Sequence, residues 1–360
     1  MYPELFDLPF TDITIKSYGL MMVIGFLAAV FVIRRLSLDI TENPQIITNA
    51  CLYCLIAGVV GARLFYVVHY FEKFRGRWFL VFAVWHGGLE FLGGVVLAIV
   101  VLLFYLRRHK LPIGQIFDVL AIGLMLGLAF GRIGCFLKGD CFGKPTEVPW
   151  AIRFPYGSDP YRSQVSGNLE RNRTDPHLRL PADFYGYYDS NGKTYFALKT
   201  YEDLTQEQKD MVNNGQYRCL PVHPTQLYSS ANALLCSFLL FLFRRRSQRA
   251  IKSKKPDILF AKPGCTFALM FILYGISRFL LEFLRDDNPF EYAWWAIYKG
   301  GTVSQNFGIF MVISGVVLII IFQKLKPKVV IPDENNEIQT EVGIHDSNDT
   351  QAARGEINVS

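Results

Sequence analysis

"IGQIFDVLAIGLMLGLAFGRIGCFLKGDCFGKP", residues 113–145, is an apolar stretch that ends among an arginine, a lysine, an aspartate and two cysteines. Residues 113–137 are long enough to cross a bilayer, because a helix needs about 20 mostly apolar residues to span roughly 30 Å of hydrocarbon. Arg132 and Asp140 then lie where the span ends. The stretch predicts a membrane helix with polar chemistry at one end.

The rest of the chain has the same character. Of its 360 residues, 51% are hydrophobic and only 19% are charged, which is too apolar for an ordinary soluble domain. Seven stretches are long and apolar enough to span a membrane: about 17–33, 46–70, 88–106, 113–137, 226–243, 264–284 and 304–323. We predict an all-α polytopic membrane protein of about seven helices, with one external α+β head segment between helices 4 and 5.

The distribution of lysine and arginine predicts the orientation of these helices. The segment "RRRSQRAIKSKKPDILFAK" after the fifth span carries eight such residues, and alternate loops are sparser. Because cytoplasmic loops are rich in lysine and arginine, the N-terminus is predicted outside and the C-terminus in the cytoplasm. The net charge of +6 then faces anionic membrane lipid, and no nucleic-acid partner is needed to explain it.

These assignments divide the chain into four parts. Residues 1–137 hold the first four spans, and residues 138–225 form the head segment. Residues 226–325 hold the last three spans, and the polar residues 326–360 are predicted to be a disordered tail. In the head segment "KTYFALKTY" predicts a strand, and "TQEQKDMVNNG" predicts a short helix with a Thr205–Gln208 capping box. We expect the head segment to bury little core alone and to pack on the helix ends.

Ionisable residues in or beside the spans are the candidates for chemistry, since each costs about 2.5–3.5 kcal/mol at the centre of a membrane helix. Arg63 and Arg132 lie in the second and fourth spans. Arg278, Glu282 and Arg285 follow one another at spacings that place them on one helix face. Alone, this face is equally consistent with an interfacial ion-pair ladder. Arginines from three spans favour a site for an anionic lipid headgroup, because guanidinium groups match phosphate geometry.

Two further blocks carry polar groups at the predicted membrane surface. "WHGGLEFLGGV" contains His86, Gly93 and Gly94 at the start of the third span, where paired glycines indicate a bent helix start beside a cavity. An interfacial histidine is the simpler interpretation of His86. "VHPTQLY" contains His223, Gln226 and Tyr228, and an aromatic-belt position is the simpler interpretation of Tyr228.

Taken in order, these motifs resemble the phosphatidylglycerol:prolipoprotein diacylglyceryl transferase family of bacterial inner membranes. "GRIGCFLKGDCFGKP" is similar to the family signature G-R-I-G-N-F-x-N-G-E-x-x-G. "IKSYGLMMVIGF", "GARLFYV", "HPTQLY" and "YGISRFLLEFLRD" also resemble family blocks. The resemblance implies transfer of diacylglycerol from phosphatidylglycerol to the lipobox cysteine of a preprolipoprotein signal peptide, with release of glycerol phosphate.

The resemblance also implies roles for particular residues. Arg132 and Arg278 would clamp the headgroup phosphate, and Glu282 would orient them. Asp140 stands where the family has glutamate. The remaining predicted substrate-binding residues are Tyr18, Arg63, Gly93, Gly94, Gly131, Gly134, Cys135, Gly139, Gly143, His223, Gln226, Tyr228 and Arg285.

The sequence departs from the family at two of these places. Leu92 stands where some branches carry a histidine thought to activate the thiol, and Cys135 stands where the signature has asparagine. His86 is a hypothetical replacement base. The alternative function is a divergent paralogue that binds phospholipid without catalysis or acts on a changed substrate, whereas the lack of internal repeats argues against a transporter.

The cysteines leave one question open. Cys135 and Cys141 could form a disulfide on the outer face, or they could remain two unpaired thiols. No pair of Cys-x-x-Cys motifs and no Cys/His spacing of a structural zinc site occurs, and the sequence implies no metal and no organic cofactor.

Overall fold

A computed structural model describes residues 4–7, 14–76, 78–83, 87–190, 193–252 and 262–324. His86 and the predicted tail 326–360 lie outside the described residues. Within those ranges the α-helices are, in chain order, α1 (Ser17–Ser37), α2 (Gln45–His69), α3 (Phe71–Phe74), α4 (Phe91–Arg108), α5 (Ile113–Lys138), α6 (Asp159–Val165), α7 (Gln206–Asn213), α8 (Thr225–Lys252), α9 (Cys265–Leu281) and α10 (Val303–Lys324).

Seven of these helices are long and apolar enough to cross a membrane, which confirms the predicted architecture. They are α1, α2, α4, α5, α8, α9 with the 3-10 turn that continues it to Leu284, and α10. Large apolar side chains such as Phe31, Phe104 and Phe238 project outward from the bundle. A ring of exposed apolar side chains suits lipid rather than water, so the chain is a multi-pass membrane protein.

The spanning helices pack most closely in pairs, and glycines make the closest approaches possible. The pairs with the most extensive contact are α1 with α5, α2 with α4, α9 with α10, and α5 with α8. A Cβ atom on Gly93 of α4 would lie 2.6 Å from the carbonyl oxygen of Gly61 on α2. On Gly123 of α5 it would lie 2.5 Å from the Ile33 side chain of α1. Small residues therefore set the spacing of the bundle, as is usual in membranes.

The head segment between α5 and α8 has the predicted α+β character. Strand β3 (Tyr185–Ser190) pairs antiparallel with β4 (Lys193–Leu198), which confirms the predicted strand. The α7 helix begins with the predicted capping box, in which Thr205 and Gln208 bond each other's backbone N–H groups. Elsewhere a small ribbon pairs β1 (Glu4–Asp7) with β2 (Thr14–Lys16).

The head segment buries more apolar surface than its composition predicts. One cluster holds Phe154, Tyr161, Cys219 and Val222, and a second is built around Phe184. The segment also contacts the loop after α9, because the Arg173 guanidinium lies 3.1 Å from the Asp286 carboxylate. Two local cores stabilise the head segment itself, and this contact holds it against the bundle end that carries the functional residues.

Candidate functional site

The loop that leaves α5 is fixed by the start of α8. Gly139 ends the helix in a left-handed conformation, with φ of 94°, which glycine adopts without steric cost. The Gln226 side-chain amide donates to the Asp140 carbonyl at 2.8 Å, and the Thr225 hydroxyl donates to the Cys141 carbonyl at 2.8 Å. The predicted residue Gln226 therefore acts on the backbone of the loop, and it holds Asp140 and Cys141 in place.

The next residues of this loop pair with the chain on both sides. The Lys144 N–H donates to the Leu284 carbonyl at 2.8 Å, and Gly143 forms an isolated antiparallel β-bridge with Arg285. A Cβ on Gly143 would lie 2.5 Å from the His223 carbonyl oxygen, so only glycine fits there. The backbone at Gly143 thus joins the end of α9 to the chain that precedes α8.

Arg278 and Glu282 form the buried ion pair that their spacing predicts. Their side chains approach to 3.2 Å, and the Glu282 side chain is fully buried. The Asn288 amide donates to Glu282 at 2.5 Å, and the Arg278 guanidinium donates to the Ser304 hydroxyl at 2.6 Å. Since a buried charge is stable only with partners, Glu282 fixes the position of Arg278.

Arg285 departs from the prediction that it shares the helix face of Arg278. The α9 helix ends at Leu281 and its 3-10 turn ends at Leu284, so Arg285 adopts an extended backbone. Its guanidinium lies 3.9 Å from Glu282 but donates to the Asp287 carboxylate at 2.8 and 2.5 Å. Burial lowers the pKa of Arg285, but the hydrogen bonds and charge of Asp287 outweigh it and raise the pKa above its usual value.

Arg132 is the arginine of the site whose charge is least compensated. Within the residues that the structure describes it makes no ion pair, and its guanidinium donates to the Cys141 sulfur at 3.6 Å. Its positive charge interacts unfavourably with those of Arg278 and Arg285. Three like charges brought together without equal compensation favour the binding of an anion.

Tyr18 and two glycines border the same end of α5. A Cβ on Gly134 would lie 3.0 Å from the Tyr18 ring, and one on Gly131 would lie 3.4 Å from the Met22 sulfur. Tyr18 is also close enough to Arg132 for their charged forms to interact. The structure thus brings Tyr18, Gly131 and Gly134 to the arginines, as the sequence predicts.

Asp140 and the two cysteines lie beside Arg132. The Asp140 carboxylate accepts from Lys138 at 2.7 Å through Oδ2, so its direct ion pair is with Lys138. Cys135 and Cys141 are free thiols. A hydrogen bond from Cys135 lowers the pKa of Cys141, and the positive charges of Arg285 and Arg132 lower it further against the opposing effect of burial.

His223 and Tyr228 lie at the start of α8 and face the head segment. The Tyr228 hydroxyl accepts from the Trp150 indole at 2.5 Å and lies 3.4 Å from His223 Nδ1. Burial lowers the pKa of His223, so the ring is neutral at pH 7. These side chains join α8 to the head segment, and among the described residues their hydrogen bonds do not involve Arg132, Arg278 or Arg285.

Arg63 has a separate environment between α2 and α4. Its guanidinium donates to the carbonyl oxygens of Leu80, Val81, Gly87 and Gly88. It borders a cavity of about 330 Å³ whose lining also includes Lys73. Nearly all of its donors are already used, so Arg63 holds the irregular chain before α4 in place.

Gly93 and Gly94 belong to the same region as Arg63. They pack against the α2 backbone at Gly61 and Gly58. Leu92 is largely exposed on the bundle surface. The structure therefore separates this group of predicted residues from the contacts made by Arg132, Arg278 and Arg285.

Comparison with known proteins agrees with this arrangement. A family model described as prolipoprotein diacylglyceryl transferase matches residues 3–321. The chain belongs to the prolipoprotein diacylglyceryl transferase family. It is a membrane transferase by this membership, as the resemblance implied.

Relatives of this family match over most of their length. Each is named phosphatidylglycerol--prolipoprotein diacylglyceryl transferase. The protein of Burkholderia lata is 30% identical and that of Burkholderia orbicola strain MC0-3 is 31% identical, each covering 86% of this chain and 90% of the relative. That of Synechococcus elongatus is 26% identical and covers 92% of both chains.

Several residues of this transferase site escaped the sequence analysis. Ser304, Asn288 and Asp287 directly contact the predicted charged residues. Asp287 and Asn288 follow Arg285 in "RDDN", a polar run beside a span that could have indicated its partners. Ser304 starts another helix, and nothing in the sequence indicates its contact with Arg278.

Proposed function

We propose that this chain transfers the diacylglyceryl group of phosphatidylglycerol to the lipobox cysteine of preprolipoproteins and releases glycerol phosphate. Two arginines at the same end of the bundle support this function: Arg132, which makes no ion pair among the described residues, and Arg278, which Glu282 holds in place. The names of the relatives describe the same two substrates.

The two arginines divide the work of holding the phosphate. Arg278 is fixed by Glu282 and Ser304, so it is preorganised before the lipid binds. Arg132 has donors to spare, and its contact with Cys141 at 3.6 Å is weak enough to exchange for a phosphate oxygen. Both charges then stabilise the negative charge that develops on the departing glycerol phosphate.

The reaction also needs an ionised acceptor. The thiolate is the nucleophile, and a free cysteine thiol is mostly protonated at neutral pH. The attacking sulfur forms a bond to the terminal glycerol carbon of the diacylglyceryl group as the bond from that carbon to the phosphate oxygen breaks. The thiol proton is given up before or during this step, and nothing is oxidised.

The site requires a particular orientation in the membrane. We propose that the chain lies in the bacterial cytoplasmic membrane with its N-terminus and the head segment 138–225 outside and its C-terminus in the cytoplasm. The distribution of basic residues supports this orientation, because eight lysines and arginines lie in residues 244–262, which begin in the last turns of α8, at the end opposite to the site. Reporter fusions at residues 76 and 324 test it: the first is expected outside and the second inside.

Complementation tests the function in cells. The gene is expressed in a bacterium depleted of its own diacylglyceryl transferase, and lipoprotein maturation is followed by gel mobility. We expect rescue by the unchanged chain and by Arg246→Ala, which alters an exposed arginine at the far end of α8. We expect no rescue by Arg278→Ala.

Two outcomes would count against the proposal. Rescue by Arg278→Ala at normal expression would contradict the phosphate clamp. Failure of the well-expressed unchanged chain would favour the alternative, a paralogue that binds phospholipid without this transfer.

A further inference from the structure

Three potential metal ligands meet beside Arg132. The sulfur atoms of Cys135 and Cys141 and a carboxylate oxygen of Asp140 all lie within 4.8 Å of one another. A tetrahedral zinc ion with Zn–S bonds of about 2.3 Å places its ligand atoms roughly 3.8 Å apart. Small side-chain rotations therefore suffice to form a three-ligand zinc site.

The fold brings these residues together although their sequence spacing matches no zinc motif. Cys135 lies in the last turn of α5, and the left-handed residues Gly139 and Cys141 turn the chain back over it. The bonds from Thr225 and Gln226 to this turn keep it in place. Because ligands on a fixed backbone lose little entropy on binding, the turn is suited to hold an ion.

Asp140 provides an independent sign of a missing partner. Its Oδ2 atom accepts from Lys138, whereas Oδ1 is buried and has no hydrogen-bond partner among the residues that the structure describes. Buried carboxylate oxygens normally accept a hydrogen bond, so one without a partner favours the binding of a donor or a cation. A metal ion bound by both sulfurs would supply it.

The charge balance also accommodates a divalent cation. Two thiolates and one carboxylate carry three negative charges, so a zinc ion leaves one in excess. Arg132 lies 3.6 Å from the Cys141 sulfur and Lys138 lies 2.7 Å from Asp140. These cations stabilise the ligand set and offset the remaining charge.

The proposed transfer needs an ionised acceptor thiol, and a zinc ion here would supply a means of ionising it. A thiol that binds zinc is deprotonated outright, and catalytic zinc sites keep one coordination position open. We propose, building on the proposed function, that Cys135, Asp140 and Cys141 bind a zinc ion whose open position takes the acceptor thiol of the preprolipoprotein and holds it as the thiolate.

Transfer would then take place at the zinc-bound sulfur. The acceptor thiol binds zinc and releases its proton to solvent. The zinc-bound sulfur forms its bond to the diacylglyceryl carbon, and the electron pair of the breaking carbon–oxygen bond leaves with glycerol phosphate. The product thioether is uncharged and binds zinc more weakly, so it dissociates and reopens the position.

Metal binding is tested first, on the purified full chain kept reduced. After removal of metal with a chelator, Zn²⁺ or Co²⁺ alone is added. We expect one equivalent of zinc by elemental analysis and, with cobalt, thiolate-to-metal charge-transfer absorption with intense tetrahedral d–d bands. Cys135→Ser and Cys141→Ser should weaken binding by more than the roughly 10–100-fold typical of outer-shell changes. Cys219→Ser, which alters a buried head-segment cysteine, should bind like the unchanged chain.

A second measurement on the unchanged chain removes any dependence on how the variants fold. Zn²⁺ should protect Cys135 and Cys141 from alkylation by N-ethylmaleimide and leave the reactivity of Cys54 unaltered. Folded, reduced protein that gives neither protection nor cobalt bands would overturn the proposal. So would equal metal binding by Cys135→Ser and the unchanged chain.

A transfer assay distinguishes the role of zinc from the transferase activity itself. Transfer to a lipobox peptide should fall at least 10-fold on chelation and return with Zn²⁺. Full transfer by zinc-free protein overturns the zinc role and leaves the proposed function intact. Zinc binding without transfer in any state overturns the proposed function, and with it the activating role, while the metal site itself stands.

Discussion

The two ends of α5 differ in how completely their buried charged groups are hydrogen-bonded. At the end near residue 118, both carboxylate oxygens of Asp118 accept backbone N–H groups at the start of α9, from Gly264 and Phe267, at 2.9 Å. At the other end, Arg132 contacts a sulfur at 3.6 Å, and Asp140 Oδ1 has no partner within the described ranges. Both oxygens of the Asp118 carboxylate are therefore hydrogen-bonded, whereas Arg132 and Asp140 keep unused donors and acceptors in the described part of the chain.

The difference separates structural from functional ionisable residues. Both kinds are costly in a membrane, so cost alone does not distinguish them. Asp118 caps the N-terminus of α9, where negative charge is favoured, and this interaction offsets the free-energy cost of burying it. The group around Arg132 keeps unused donors and acceptors, which is what a site awaiting a ligand requires. Four substitutions test this contrast.

The largest effect is expected for Arg278→Ala. This change removes a preorganised charge from the departing phosphate, so the transfer rate should fall by about 10²–10³-fold. The rate is measured with purified protein and a lipobox peptide, and thermal unfolding is followed on the same sample. A rate within threefold of that of the unchanged chain would show that Arg278 does not stabilise the departing phosphate.

Arg132→Lys tests whether the reaction needs the two parallel hydrogen bonds of a guanidinium group at this position or only a positive charge. Lysine keeps the charge but loses bidentate geometry, so we expect transfer to fall by about tenfold, less than for Arg278→Ala. Matched kinetics of both variants check this order. A lysine variant as active as the unchanged chain would show that the geometry of Arg132 is not used.

Asp118→Ala should lower the stability of the fold without lowering the transfer rate. It leaves the N–H groups of Gly264 and Phe267 unpaired, and the loss of hydrogen bonds to a charged group costs about 1.5–3 kcal/mol. The midpoint of thermal unfolding in detergent should fall, with the transfer rate per folded molecule unchanged. A lower transfer rate with no change in the unfolding midpoint would show that Asp118 takes part in the reaction.

The smallest effect is expected for Trp150→Phe. It removes the indole donor to Tyr228 at 2.5 Å, which joins the head segment to α8. A single hydrogen bond of this kind contributes about 0.5–1.5 kcal/mol to stability. Denaturation should detect that change, and transfer should stay within twofold. A tenfold loss of transfer would give the His223–Tyr228 region a part in the reaction that its contacts do not indicate.

Much of the fold and part of the candidate site could be predicted from the sequence. The seven spans follow from hydrophobic length, and the Arg278–Glu282 pair follows from their i,i+4 spacing. The end of α9 could not be predicted, because an α-helix and a 3-10 turn have similar sequences. The pairing of Arg285 with Asp287 was missed for that reason. The approach of Cys135 to Cys141 depends on a left-handed turn and on contacts with α8, neither of which a residue spacing records.

The most direct test of the central claim uses the purified chain in vesicles that contain phosphatidylglycerol as the sole phospholipid with a glycerol headgroup. A synthetic lipobox peptide is added, and mass spectrometry follows the peptide while released glycerol phosphate is quantified. We expect one diacylglyceryl group on the cysteine and one glycerol phosphate for each peptide modified, with both lost in Arg132→Ala. Folded protein that yields neither product, or an Arg132→Ala variant that yields both at the normal rate, would contradict the proposed transfer.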